Sequence, residues 1–361
     1  MSQDKVKEYK CPNCGGALTF DAAEQKMVCA HCDGKFSMDE LNLVAKTEGK
    51  DTSEENNWSD YHTGKEVEGM KMYVCPSCGG EIVGDETVAA TQCPYCGNPT
   101  IVSKQLSGMY APDGIIPFTK KKEDAIAALK EFYRGKFLLP KIFKSANKIE
   151  KIQGVYVPFW LFDCQADGSI RYDATRTHSW SSGDTDYVRT DHYLIIREGK
   201  VDFSKIPVDG SKKMDDEFMD SIEPFDYNKL SEFKDAYLSG YLANKYDVNA
   251  EDCLPRVNER VRTSLSEAFA STVIGYVSLV PRSSNINIEK GQIRYVLMPV
   301  WILNTKMGDK TYTFMMNGQT GEMVGSLPMA KGKAIGLWLG IFAVIMIITI
   351  LIVYAMMGRL L

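Results

Sequence analysis

The sequence predicts an α+β, multidomain chain, and three observations carry that reading. Eight of the ten cysteines sit in Cys-x-x-Cys pairs whose spacing recurs at an offset of 64 residues. A strand-and-helix pattern recurs in the second part of the chain, and an uncharged apolar run of 24 residues stands near its C-terminal end. With 361 residues, 44% hydrophobic and 25% charged, the chain provides core for two or three domains.

CPNCGG at Cys11 matches CPSCGG at Cys75, and both copies continue as Cys-x2-Cys-x14-Cys-x2-Cys. Each pair predicts a tight knuckle that aims two sulfurs at one point. The 14-residue spacer is long enough for a β-hairpin that brings two knuckles together into a tetrahedral four-sulfur site suited to zinc. The predicted ligands are Cys11, Cys14, Cys29 and Cys32 in a first small β ribbon (residues 1–46) and Cys75, Cys78, Cys93 and Cys96 in a second (residues 71–104). Gly15, Gly16, Gly79, Gly80 and Gly97 follow the cysteines where backbone N–H groups must turn toward thiolates; Asp33-Gly34 departs from that pattern. Paired disulfides are the alternative, against which a reducing compartment and the repeated spacing both weigh. Two zinc ions in closed four-thiolate sites would stabilise folding and offer no open position for catalysis; redox iron suits the same ligands. His31, inside a knuckle that already has its cysteines, is a lesser ligand candidate.

Residues 47–70 hold seven acids, two lysines and little that forms a core, so they read as a solvated acidic linker. An acidic docking motif around Trp58 and Tyr61 is the alternative. Residues 105–330 predict a pseudo-duplicated α+β domain. GVYVPFWLFD (Gly154 to Asp163) resembles YVLMPVWILN (Tyr295 to Asn304), and GIIPF (Gly114 to Phe118) and SIEPF (Ser221 to Phe225) each precede a helical pattern. In the first helix Ile126, Leu129 and Tyr133 share a face, and in the second Leu230, Phe233, Tyr237 and Tyr241 do. A third helix, with Val257, Val261, Leu265 and Ala268 on one side, belongs to the second half alone. Trp160 and Trp301, at matching strand positions, read as core, with a ligand groove as the alternative. KTYTFMM (Lys310 to Met316) and the NGQTG turn (Asn317 to Gly321) predict a closing hairpin.

The run from Ala334 to Met357 is long enough to cross a hydrocarbon core and predicts a transmembrane helix, with Trp338 and Tyr354 toward its two ends. No apolar stretch opens the chain, where MSQDKVKEYK stands, so a C-terminal tail anchor is expected. Lys331 and Lys333 on the near side against Arg359 on the far side, together with the paired cysteines, place the N-terminal body in the cytoplasm. Gly336 and Gly340 offer a close-packing face for a homo-oligomer or a partner helix.

Charge and motifs narrow the function. Residues 1–104 carry 10 Lys/Arg against 17 Asp/Glu, and each four-thiolate zinc adds two negative charges, which disfavours nucleic acid as a partner. No catalytic role is predicted. His178, Asp191, His192 and Cys164 belong to no known motif, Cys164 and Cys253 read as small buried hydrophobes, and no GxxxxGK[ST] phosphate loop is present.

Through the CPxCGG ribbons, VPFWLFD, SGYLANKYDV (Ser239 to Val248), MPVWILNTK and YTFMMNGQTGEMVGSLP, nearly the whole chain resembles the TFIIB-type zinc-ribbon membrane proteins of Gram-positive bacteria. That resemblance implies a tail-anchored envelope-stress component, with SPFH-domain or phage-shock-type proteins as partners. The expectation is a non-enzymatic adaptor or scaffold at the cytoplasmic face of a membrane; a membrane-tethered nucleic-acid binder and an enzyme in the α+β domain are the alternatives.

Overall fold

The computed structural model describes residues 10–21, 26–47, 58, 71–84, 92–98, 102–105, 111–140, 143, 149, 151–238, 240–307 and 310–357. Along the chain run β1 (Leu18–Asp21), β2 (Lys26–Cys29), β3 (Lys35–Phe36), α1 (Met38–Thr47), β4 (Lys71–Val74), β5 (Glu81–Gly84) and β6 (Val102–Gln105). There follow β7 (Gly114–Ile115), α2 (Lys122–Phe132), β8 (Gln153–Ser182), β9 (Thr185–Asp209), α3 (Asp216–Ser221), β10 (Ser231–Glu232) and β11 (Leu242–Asn244). The chain continues through α4 (Ala250–Ser271), β12 (Ser278–Met307), β13 (Lys310–Asn317), β14 (Met323–Gly325) and α5 (Lys331–Met357). The fold class is α+β, as the sequence predicts.

Two compact units interleave along the sequence. Unit 1 gathers Met1–Tyr61, Leu161–Val208 and Ala250–Ile293, and unit 2 gathers His62–Trp160, Asp209–Asn249 and Arg294–Leu361. In unit 1 the first ribbon is an antiparallel sheet in the order β1-β2-β3. Ser37 and Glu40 start α1 as a reciprocal capping box, and Leu41 then packs with Cys11, Leu18, Met27, Cys29 and Phe36. Helix α4 buries Val257, Val261 and Leu265; the stripe continues through Phe269 instead of Ala268, which is exposed. Gly168 lets this helix close on the sheet, since a Cβ there would lie 2.7 Å from Leu265 Cδ2. Within the predicted acidic linker Trp58 bridges to Gly291; the linker's residues 48–57 and 59–70 lie outside those described.

The main sheet follows the path β10-β7-β12-β8-β11-β5-β4-β6, with β13 on β12 and β9 on β8. In unit 2, β5 pairs antiparallel with β11 (Ala243↔Val83, Asn244↔Ile82), so the second ribbon is an extension of this sheet. Helix α2 buries Ala125 and Leu129 beside Tyr133, Trp301, Leu303 and Phe314, where burying one leucine is worth roughly 2 kcal/mol. The predicted helix through Leu230, Phe233, Tyr237 and Tyr241 is not formed. Asp226 instead closes a turn on the Asn228 N–H, a short 3-10 turn spans Tyr227–Lys229, and Ser231 and Glu232 pair with β7. Strand pairing takes the backbone groups of Ser231 and Glu232 that a helix would have used, and the stretch keeps only a short 3-10 turn at Asp235–Leu238.

Two local arrangements in unit 2 match each other. Gly210 N–H donates to the Pro158 carbonyl at 2.8 Å, Asp247 and Val248 N–H donate to the Gly210 carbonyl, and Trp160 Nε1 donates to the Val248 carbonyl at 2.9 Å. Likewise, Gly318 N–H donates to the Pro299 carbonyl at 2.8 Å, Thr119 and Lys120 N–H donate to the Gly318 carbonyl, and Trp301 Nε1 donates to the Lys120 carbonyl at 3.0 Å. Tyr246 meets Trp160 at 5.2 Å and 63°, and Phe118 meets Trp301 at 5.2 Å and 64°. Strand β11 runs parallel to β8 as β7 runs parallel to β12. The stretch that matches GIIPFTK in this geometry is LANKYDV, not SIEPF. Both tryptophans are buried, as expected of core.

Asn317 turns the last hairpin, its Oδ1 accepting from Gln319 and Thr320 N–H. The chain then enters α5, whose stretch Lys331–Val353 has a mean hydropathy of 2.8 and no buried residue. At 1.5 Å per residue those 23 residues span about 35 Å, so α5 is long and apolar enough to cross a membrane. Its start is tied down in unit 2, where Lys333 Nζ donates to the Phe137 and Leu139 carbonyls at 3.1 Å.

Candidate metal centres

Each Cys-x-x-Cys pair folds on one backbone plan. Cys11 N–H donates to the Gly16 carbonyl and Gly15 N–H to the Cys11 carbonyl. The same two bonds recur as Cys29 to Gly34 with Asp33 to Cys29, Cys75 to Gly80 with Gly79 to Cys75, and Cys93 to Asn98 with Gly97 to Cys93. The tight return puts the fourth residue after the leading cysteine in the left-handed region: Gly15 (φ 74°), Gly79 (φ 68°), Gly97 (φ 70°) and Asp33 (φ 54°). Glycine takes that conformation freely and aspartate at a cost, which is what the irregular second knuckle represents.

These knuckles bring the predicted ligands together as Cys11, Cys14, Cys29 and Cys32 and as Cys75, Cys78, Cys93 and Cys96, with the ligand atoms of each set within 4.8 Å of one another. In the first cluster the Sγ atoms of Cys11 and Cys32, and of Cys14 and Cys29, are 3.5 Å apart. In the second, Cys75 to Cys96 is 3.5 Å and Cys78 to Cys93 is 3.7 Å. A disulfide needs about 2.05 Å, and all these cysteines are free. A regular tetrahedron with those edges has a centre-to-sulfur distance of about 2.1–2.3 Å, which is the length of a metal–thiolate bond. The two clusters are therefore two candidate metal sites. His31 is exposed on the first knuckle pair, and the cluster is complete without it.

In each cluster one cysteine is shifted toward the thiolate form, while Cys14, Cys32, Cys78 and Cys93 are shifted away from it. The backbone N–H groups of His31 and then Cys32 point at Cys29 and lower its pKa to about 6. At Cys75 burial opposes ionisation, but the N–H groups of Cys78 and Ser77 together with the Cys96 and Cys78 thiols outweigh it and bring the thiol to about 7. Burial pushes Cys93 up, which a cation at the centre of the cluster would offset.

Side chains far away in sequence hold the knuckles. In unit 1 the buried Arg171 donates to the Pro12 carbonyl, between Cys11 and Cys14. In unit 2 Lys213 Nζ donates to the Cys78 carbonyl at 2.7 Å, and Asn304 Nδ2 donates to the Pro94 carbonyl, between Cys93 and Cys96. Lys213 and Arg171 also bring positive charge toward tetrathiolate sites. No sequence signal marks these residues, which stand at least 135 positions from their acceptors. Beside the second cluster lies a cavity of about 200 Å³ lined by Gln92, Cys96, Lys151, Asn304 and Lys306.

The remaining candidates are scattered. His178, on the exposed hairpin of β8 and β9, is 3.8 Å from Asp191, which also pairs with Arg189 at 3.0 Å, and His192 is exposed further down the same arm. Cys164 and Cys253 are buried, and burial raises the Cys164 thiol to about 12.

Over 339 residues the chain is 34% identical to a protein of Bacillus subtilis (strain 168) described as "Uncharacterized protein YdjG", covering 93% of this chain and 94% of that one. No protein-family model matches the chain, and no solved structure matches it.

Proposed function

This chain belongs to the family of Bacillus subtilis YdjG, and we propose that it is a membrane-anchored, non-enzymatic zinc-ribbon adaptor that assembles proteins at the cytoplasmic face of a membrane. The observation that carries this reading is the pairing of two closed four-cysteine clusters with an unburied apolar helix of 23 residues. Four thiolates saturate a tetrahedral ion, so the metal shapes a surface and leaves no position for substrate. Zinc is the ion we assign; a single iron fits the same sulfur spacing and would colour the protein. The excess of Lys331 and Lys333 over Arg359 supports a cytoplasmic body.

Strand pairing supports a division of labour between the ribbons. Strand pairing of β5 with β11 makes the second ribbon part of the platform, and the first ribbon, with its own three-stranded sheet, is the recognition module. We read the platform as duplicated on the strength of the matched Gly210 and Gly318 arrangements. SPFH-domain or phage-shock-type proteins are the proposed partners, following the resemblance to TFIIB-type zinc-ribbon membrane proteins. Self-association through Gly336 and Gly340 is the proposed oligomer contact.

Crosslinking in native membranes tests the adaptor role. The full chain is expected to capture a defined set of proteins that residues 47–361 alone do not. Capture of the same set without the first ribbon would move recognition to the platform. Salt-dependent DNA or RNA binding by the full chain, with no captured protein, would replace the adaptor by a nucleic-acid binder. Removing residues 334–361 should release the chain from the membrane fraction, and retention would overturn the anchor.

A further inference from the structure

Within unit 1, Trp58 is the described residue of the acidic stretch between the ribbons that meets the strands. Trp58 forms a parallel bridge with Gly291, and its ring stands edge-on to Phe162 with centroids 5.2 Å apart at 84°. Gly291 is bare where the indole lies: a Cβ there would come 2.1 Å from Trp58 Cε3 and 2.5 Å from Cδ2. Phe162, the other wall, is fully buried. The groove thus combines an aromatic edge, a strand backbone able to pair, and a gap of indole width that a side chain at residue 291 would close.

Solubility accounts for the acids of this stretch but not for its tryptophan. Glu54, Glu55 and Asp60 stand close to Trp58 in sequence and favour water, which leaves the indole as the group with most to gain from burial. That gain is partly cancelled, because the Trp58 Nε1–H is buried and meets no acceptor. Among the described residues the contact consists of one bridge and one ring edge, where the surrounding strands make continuous ladders.

We propose that the Gly291–Phe162 groove is a recognition site for an extended, tryptophan-centred acidic segment, and that its occupant is the chain's own linker, seated in cis by Trp58. Released, Trp58 uncovers the groove. This inference depends neither on which ion the cysteines hold nor on the adaptor reading.

Lys50 and Lys65 flank Trp58, so tryptic cleavage of the full chain in detergent micelles reports its release. Trp58→Ala and Gly291→Ala should each speed cleavage there by about tenfold, and the double variant should cut no faster than either alone, because both remove one contact. Unchanged thermal melts would show that the variants remain folded. A peptide of residues 51–65 added to the Trp58→Ala protein should slow hydrogen exchange of amides 287–293. Equal cleavage in wild type and Trp58→Ala overturns the proposal, as do additive effects in the double variant. Protection that rises with protein concentration overturns the cis occupant by giving the groove to a second copy.

Discussion

The two ribbons carry one cysteine spacing and are built to different depths. In the first, Cys14 and Cys32 are exposed, a private three-stranded sheet and α1 supply the apolar backing, and Arg171 holds one knuckle carbonyl. In the second, every cysteine is at least half-buried, β5 joins the main sheet, and both Lys213 and Asn304 hold knuckle carbonyls. Position 31 of the first ribbon holds an exposed histidine, and the equivalent Tyr95 lies across Gly80, its phenol pushed well above its ordinary pKa by burial. Local spacing therefore encodes the metal centre, and distant residues decide whether that centre is a surface module or a structural keystone.

The largest test of this contrast is to break each centre. Cys75→Ser should remove one metal ion and destabilise unit 2 by on the order of 5 kcal/mol, since it opens a site on which sheet strands converge. Cys14→Ser should also remove one ion yet leave the main thermal transition in place; loss of that transition would show the ribbons to be equivalent. Next in size, Gly80→Ala should cost about 2 kcal/mol, because its Cβ would sit 2.6 Å from Tyr95 Cδ2. Gly16→Ala, whose Cβ would meet its nearest atoms at 3.5 Å, should cost about 0.5 kcal/mol, and melts of the two variants measure the difference.

A chelator should strip the first centre about tenfold faster than the second, read as two phases of metal release, because exposed thiolates are open to attack and protonation. Arg171→Met should widen that gap, and a single phase would contradict it. The smallest effect is expected from Asp33→Gly, which relieves a left-handed aspartate and should stabilise the first ribbon by about 0.5 kcal/mol, seen as a slower first phase.

Much of this was legible in the sequence because the signals are local. Cysteine spacing, the turn glycines, the α2 and α4 stripes and the apolar α5 each depend on residues within a few turns of one another. What escaped was long-range. The Leu230 to Tyr241 spacing mimics a helix, but pairing with β7 claims the backbone of Ser231 and Glu232 and leaves only a 3-10 turn at Asp235–Leu238; Ala268 yields to Phe269 because the surface that α4 covers sets the angle of its stripe. Lys213 and Asn304 meet their knuckles only in three dimensions, and the docking of Trp58 depends on a glycine more than two hundred residues away. The repeated tryptophan strands were visible, but their partner GIIPFTK matches LANKYDV by hydrogen bonding and not by sequence.

Metal analysis of the purified full chain together with X-ray absorption at the bound metal tests the two-centre account most directly. Two zinc ions per chain, each with four sulfurs at about 2.3 Å and no lighter atoms in the shell, is the predicted result. A folded chain that holds no metal, or whose eight paired cysteines are joined as disulfides, would contradict it.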